Sequence, residues 1–297
     1  MESNKRAALV LEGGGYKSIF EAGVLDVFME NNIYTDSFAS IWGVSAGSLM
    51  SVSYRSRQIG RSMRIMLALR DDPRMMSMKT FFETGNYFGT DFMYNVVQNQ
   101  IDPCDLDTFV KDTTPMYFVA TDVSFGTPAY LRSKAEMSDT DKARASASMP
   151  VLSTMVEVDG HRYLDGGCSD EIPFAAALGL EGASKVPNRV PAEKAVVVLT
   201  SDKTYVHEGT LEDFALKTHQ YDGYPYFEQD LATRADRINA QRKQLKELAD
   251  TGKVIVLMPP EPVNVKTAEH EGLPLLNLYL EGRRETERHL EEIREIL

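Results

Sequence analysis

Ala7-Ala8-Leu9-Val10-Leu11 runs without a polar break into Glu12 and then into Gly13-Gly14-Gly15-Tyr16-Lys17-Ser18. An unbroken apolar run of this length, stopped by glycines, reads as a strand buried on both faces, the kind found in parallel sheets. The glycines make a turn. Beyond them Ile19, Phe20, Ala22, Val24, Leu25, Val27 and Phe28 recur with a helical period, and Asn31-Asn32 ends the run. The chain therefore opens strand, glycine turn, helix.

The unit repeats. Residues 38–42 read as a short strand, Gly43–Gly47 as a tight turn and 48–57 as a helix. Residues 58–115 carry helical patterns at 62–69, 92–99 and 106–112 and no strong strand, which predicts a largely helical insertion. Within it Met75, Met76 and Met78 lie near Phe81-Phe82. They read either as core or as an adaptable apolar wall for an acyl chain. Strands are predicted again at 116–123, 129–133, 195–200 and 254–258. Residues 138–148 read as a helix closed by Pro150, and 156–164 as a hairpin around Asp159-Gly160. Helices are expected at 173–180, 231–249 and 281–297. Strands alternating with helices predict an α/β fold with a mostly parallel central sheet and helices on both faces. There are no internal repeats, low-complexity tracts or evident linkers.

The chain has 297 residues, 43% hydrophobic and 26% charged, enough for a core of ordinary size. Its net charge of -12 argues against binding nucleic acid, whose phosphates attract basic proteins. The same charge is repelled by anionic membrane surfaces unless a local patch reverses it. Arg55, Arg57, Arg61, Arg64 and Arg70 form one such cluster, which reads first as a solvated helix face. Two cysteines, Cys104 and Cys168, are too few for a disulfide framework. Neither a signal-peptide core nor a membrane-length apolar run is evident, so a soluble, reducing, cytoplasmic setting is expected.

Gly43-Val44-Ser45-Ala46-Gly47 carries the chemistry. A G-x-S-x-G elbow needs glycines because the strand-to-helix turn leaves no room for side chains beside the serine. The turn exposes Ser45 and holds it under backbone strain. Gly13-Gly14-Gly15 offers several N–H groups at the positive end of a helix. A nucleotide phosphate, a dinucleotide pyrophosphate or an acyl-transfer oxyanion could use them. Tyr16 stands where a phosphate-binding P-loop requires Gly, and Ser18 where a dinucleotide fingerprint requires Gly, whereas an oxyanion hole needs only two well-aimed donors. Lys17 adds positive charge in the first turn.

A serine nucleophile needs a base. None of His161, His207, His219, His270 and His289 has a setting that recommends it, although partners that meet in space leave no trace in spacing. Asp165-Gly166-Gly167 ends an apolar strand, and its glycines permit close approach to another loop. An ordinary Asp titrates near pH ~3.9 and is a weak base, so desolvation or oxyanion stabilisation must make up the deficit. Alone, Asp165-Gly166 also reads as an ordinary turn.

Taken together, the blocks resemble the patatin-like phospholipases, a family of lipid acyl hydrolases with a Ser–Asp dyad. Gly13-Gly14-Gly15-Tyr16-Lys17 is similar to the family's glycine-rich block and Gly43–Gly47 to its nucleophile elbow. Ala145-Ser146-Ala147-Ser148-Met149-Pro150 is similar to its Ala-Ser…Pro segment and Asp165-Gly166-Gly167 to its Asp-Gly-Gly/Ala motif. The resemblance implies Ser45 as nucleophile, Asp165 as base, and oxyanion donors from Gly13, Gly14 and Gly15. Lys17, Gly43, Gly47, Gly166 and Gly167 are then supporting residues. It implies no metal, no cofactor, a lipid ester as substrate and a transient contact with a membrane surface. It divides the chain into a catalytic domain over 7–200 and a C-terminal α/β extension over 201–297 packed on it. One departure is Ser18, where the family usually has Gly; a side chain there is expected to narrow the loop or change its dihedral. A lipid-binding or regulatory protein that keeps the fold is the alternative, and a nucleotide-binding protein using Gly13–Gly15 a third.

Overall fold

The structure is a computed structural model and describes residues 7–136 and 139–297. Strand β1 (Ala7–Leu11) lies near the centre of an eight-stranded sheet. It pairs in parallel with β2 (Ser40–Val44) on one side and β7 (Lys194–Val198) on the other. β8 (Val254–Leu257) continues the parallel run beyond β7, and β3 (Met116–Asp122) pairs in parallel with β2. Three strands run antiparallel to a neighbour: β4 (Thr127–Arg132) and β6 (His161–Asp165) against β3, and β5 (Val156–Val158) against β6. The β5–β6 turn is Asp159-Gly160, both with positive φ, as its sequence predicts.

Successive side chains of a strand face opposite ways. Ala7, Leu9 and Leu11 therefore enter one core and Ala8 and Val10 the other. The first core is closed by α1 (Ile19–Glu30), α2 (Ala46–Arg55) and α10 (Gly272–Ile296). The second is closed by α7 (Phe174–Leu178) and α9 (Pro225–Asp250), and α8 (Thr210–Lys217) packs on α9. A fully buried sheet explains why β1, β2, β3 and β7 read as apolar runs rather than alternations.

Several boundaries differ from expectation. β2 extends through Gly43 and Val44, so the elbow narrows to Ser45 itself, and α2 begins at Ala46. Residues 58–115 hold α3 (Arg61–Leu69), α4 (Met78–Thr84), a π-helix (Phe92–Ile101) and α5 (Leu106–Lys111). α4 carries no apolar period but has a side-chain cap: Ser77 Oγ accepts the Thr80 amide at 3.1 Å. α6 spans Asp139–Ser146; Ser138, predicted as its first residue, lies outside the described residues. α10 starts nine residues before the predicted Glu281, because Pro274 falls in its first turn, where proline breaks no hydrogen bond.

The arginine cluster is not a free basic surface. Arg55 and Arg61 are buried and donate to the Phe109 and Asp102 carbonyls, each at 3.0 Å. Arg57, Arg64 and Arg70 pair with Asp36, Asp102 and Asp71. Both cysteines are free thiols. No helix among the described residues is long and apolar enough to cross a membrane.

Candidate active site

β3 brings the predicted pair together. β4 occupies one edge of β3 from Tyr117 to Asp122, so β2 and β6 share the other edge end to end. β2 finishes with Val44 opposite Val119, and β6 finishes with Asp165 opposite Ala120. Ser45 and Asp165 thus leave the sheet at adjacent positions of one strand. Both side chains line the same cavity, and the Ser45 hydroxyl is near enough to lower the pKa of the Asp165 carboxyl.

Ser45 has φ 52° and ψ -126°, a backbone conformation that costs a non-glycine residue of order 1–3 kcal/mol. Ser146 holds it there. The Ser45 amide donates to Ser146 Oγ at 3.0 Å, Ser146 Oγ donates to the Val119 carbonyl at 2.5 Å, and Ser48 Oγ lies 2.7 Å from Ser146 Oγ. Ser48 Oγ also donates to the Gly43 carbonyl at 2.7 Å. All of these groups are buried. Gly43 and Gly47 flank the elbow: a Cβ on Gly43 would strike Ser48, and one on Gly47 would strike the Leu11 and Glu12 carbonyls.

The glycine loop is pinned everywhere except at its donors. Thr200 Oγ1 donates to the Gly13 carbonyl at 2.9 Å, the Tyr16 amide donates to the Thr267 carbonyl at 3.0 Å, and the Lys17 amide donates to the Gly14 carbonyl at 3.1 Å. Among the described residues, none accepts a hydrogen bond from the amides of Gly13, Gly14 or Gly15. A Cβ on Gly13 would lie 2.7 Å from Ser45 Cβ, so only glycine lets this loop lie against the serine. Ser18 keeps an ordinary helical φ of -65°, and its buried side chain sits against the buried Glu21 carboxyl. It lines neither cavity beside Ser45. The expected narrowing of the loop is therefore absent.

Burial pushes the Asp165 carboxyl up from 3.8 to about 6; the Ser45 hydrogen bond holds it back, the Glu171 charge adds to the rise, and the Gly167 amide and Arg234 oppose it. The Gly167 amide donates to Asp165 Oδ1 at 2.9 Å. Gly166 lies so close under β3 that a Cβ would overlap the Val119 carbonyl oxygen. Among the histidines, His161 binds Asp122 at 2.7 Å, away from Ser45. His207 does line the Ser45 cavity, but Tyr205 OH and Glu212 Oε1 take its two ring nitrogens at 2.9 and 3.0 Å.

Two cavities meet at Ser45. One, of about 460 Å³, is of mixed polarity and is lined by Asp165, the glycine loop, Lys17, Glu171, Thr200 and Arg234. Among the described residues no carboxylate pairs with the Lys17 ammonium, which lies over the Tyr205 ring, 5.4 Å from its centroid. The other, of about 120 Å³, is apolar and runs between Leu49, Met50, Met66, Met75, Met93 and Val97. The predicted methionine wall thus splits: Met75 lines this cavity, Met76 packs in the main core, and Met78 is exposed. No group of acidic, histidine or cysteine side chains among the described residues could hold a metal ion. Ser146 stands in the Ala-Ser…Pro segment, but nothing in its spacing shows that it holds the Ser45 amide, and no motif marks Thr200, Glu171, Arg234 or Tyr205. For Arg234 the one sequence signal is that it, Arg237 and Arg242 flank the apolar stripe Leu231, Ile238 and Leu245 of α9.

A mostly parallel α/β sheet with a strained serine at a strand end, a buried aspartate beside it and a loop of free amides has the architecture of an acyl hydrolase. Residues 9–178 match the model of the patatin-like phospholipase family, and the chain belongs to that family of lipid acyl hydrolases. Residues 224–297 match a second family, described as a domain of unknown function, DUF6363. The uncharacterized protein YjjU of Escherichia coli strain K12 is 29% identical over 189 residues, covering 58% of this chain and 48% of that protein. The chain therefore spans about half the length of this relative. The crystal structure of VipD from Legionella pneumophila superposes with a TM-score of 0.51 over 98% of this chain and 67% of that one; at 14% identity it shows a shared fold.

Proposed function

We propose that this protein is a serine lipid acyl hydrolase of phospholipase A, lysophospholipase or esterase type that works through a Ser45–Asp165 dyad. The observation that carries the proposal is the position of Ser45 where a narrow apolar cavity meets a wider one that also presents charged side chains. An acyl chain enters the apolar side, and the alcohol portion of the ester lies on the wider side, where the Lys17 ammonium is placed to meet an anionic head group.

In the reaction Ser45 Oγ bonds to the ester carbonyl carbon while its proton passes to Asp165. The carbonyl oxygen becomes an oxyanion and takes hydrogen bonds from the free amides of the Gly13–Gly15 loop. Collapse breaks the carbon–oxygen bond, and the leaving alkoxide takes the proton from Asp165, leaving an acyl-enzyme. Water then attacks the acyl carbon as Asp165 takes its proton; collapse breaks the bond to Ser45 Oγ, Asp165 returns the proton to Oγ, and the acid is released. A carboxyl held near pH 6 is ionised at neutral pH and is a stronger base than a free Asp.

Purified protein is expected to hydrolyse short-chain nitrophenyl esters, and Ser45→Ala to abolish the turnover. Asp165→Asn is expected to be nearly as damaging. Unchanged turnover in Ser45→Ala refutes the nucleophile. Lipidomics of fatty acids released from a mixed phospholipid and neutral-lipid extract then identifies the substrate class.

A further inference from the structure

We infer that one face of α9, formed by Arg234, Arg237, Gln241 and Arg242, is a brace that sets the geometry of both loops beside Ser45, with Arg234 as the positioning residue for Asp165. The inference rests on the dyad proposed above and gives a role to the C-terminal segment, which matches a domain of unknown function.

The residues recur at i, i+3, i+7 and i+8, so they share one side of the helix. Their donors meet the chain after Asp165 in order. Arg234 Nε donates to the Gly167 carbonyl at 2.6 Å, and Arg237 Nη2 donates to the Cys168 carbonyl. Gln241 Nε2 donates to Asp170 Oδ1 at 2.6 Å and to the Ile172 carbonyl at 3.3 Å. Arg242 acts on the residues beside the glycine loop instead: Nη1 donates to Glu12 Oε1 at 3.3 Å, and Nη2 to the Ser201 and Asp202 carbonyls at 3.1 and 2.7 Å, while Glu12 accepts the Thr200 amide and Thr200 holds the Gly13 carbonyl. Side chains that merely covered the sheet would have no reason to aim at consecutive carbonyls of one loop. Gly167 is the link to the base, since its carbonyl is held by Arg234 while its amide holds Asp165 Oδ1.

Arg234 has a second effect, through charge. It donates to Glu171 Oε2 at 2.6 Å and to Glu212, and these two carboxylates line the Ser45 cavity with it. Besides burial, the groups acting on Asp165 are the Ser45 hydroxyl, the Glu171 carboxylate, the Gly167 amide and the Arg234 guanidinium. Cys168 and Tyr94 also sense its charge, and Glu12, Lys17, His207 and Glu208 stand around the same cavity. Removing Arg234 leaves Glu171 and Glu212 without their counter-charge beside the base. Removing the Glu171 charge does the opposite.

The test uses the full chain. It follows the pH dependence of fluorophosphonate labelling at Ser45, and of kcat/KM on a nitrophenyl ester, for wild type, Arg234→Gln, Arg234→Lys and Glu171→Gln. Arg234→Gln should lower kcat about 100-fold, with KM nearly unchanged, because a displaced base costs about that much. Its acid limb should move up by about one pH unit, in keeping with the loss of a nearby opposite charge. Arg234→Lys should restore the limb but not kcat, since it returns the charge without the fork that grips Gly167. Glu171→Gln should move the limb down. Wild-type kcat and an unmoved limb in folded Arg234→Gln overturn the inference. If that variant does not fold, an unmoved limb in Glu171→Gln does so. Wild-type labelling away from Ser45, or full activity in Asp165→Asn, removes the dyad itself; both are read without altering α9.

Discussion

Replacing Asp165 by Asn removes a charge from a site where the fold disfavours it. The carboxyl is 6% exposed, and burial raises it from 3.8 to about 6. A rise of that size corresponds to about 3 kcal/mol at 1.36 kcal/mol per unit. Because the folded value is the raised one, wild type is penalised only where the carboxyl must be ionised. The penalty is absent below pH 3.8, grows as pH rises, and is complete once pH passes about 6. Asn keeps an oxygen to accept the Gly167 amide and carries no charge. Asp165→Asn should therefore match wild type in stability near pH 3.8 and exceed it by about 3 kcal/mol at pH 8, while losing activity. Urea unfolding of both proteins at the two pH values measures this. Other shifted carboxyls, such as Asp230 at about 7 and Glu212 at about 2, titrate in both proteins and cancel in the difference. An Asn variant less stable than wild type at pH 8, or a stability difference independent of pH, would show that neighbouring groups stabilise the carboxylate, and the desolvation argument would fail.

Two further outcomes follow from the site. Ser146→Ala orphans the Ser45 amide and the Val119 carbonyl, both buried, so it should cost about 1–3 kcal/mol per unsatisfied group. The loosened elbow should lower kcat about tenfold or more without a matching change in KM, measured by ester kinetics beside urea unfolding. Met75→Trp fills the apolar cavity beside Ser45. In a chain-length series of nitrophenyl esters it should lower kcat/KM for long acyl chains by about tenfold or more and spare acetate, since each methylene bound is worth about 1–3 kcal/mol; an equal loss across the series would place the acyl chain elsewhere.

The parts of the molecule legible in its sequence are those where local chemistry and tertiary role agree. Ala7–Leu11 is apolar because both faces of β1 are covered, and Asp159-Gly160 turns because both residues take positive φ. Gly13, Ser45 and Asp165 stand out in the sequence because the turns that bring them together need glycines. Legibility ended where a residue's partner is distant in the chain. Ser146 sits 101 residues from the amide it holds, and Arg242 230 residues from Glu12. The α9 arginines resemble a solvated helix face until the loop they grip is placed under them. Arg55 and Arg61 hide the same way: their charges suggest a surface, and their hydrogen bonds to Phe109 and Asp102 lie inside. Pro274 masked the start of α10 because a proline stops a periodic pattern as readily as it opens a helix.

The central claim is that Ser45 carries the acyl group. Protein mixed with a phospholipid, quenched in acid during turnover and digested, can be examined by peptide mass spectrometry. The account predicts a fatty-acyl adduct on the peptide containing Ser45, absent from Ser45→Ala. A phospholipid turned over with no adduct on Ser45, or with the acyl group on another side chain, contradicts it.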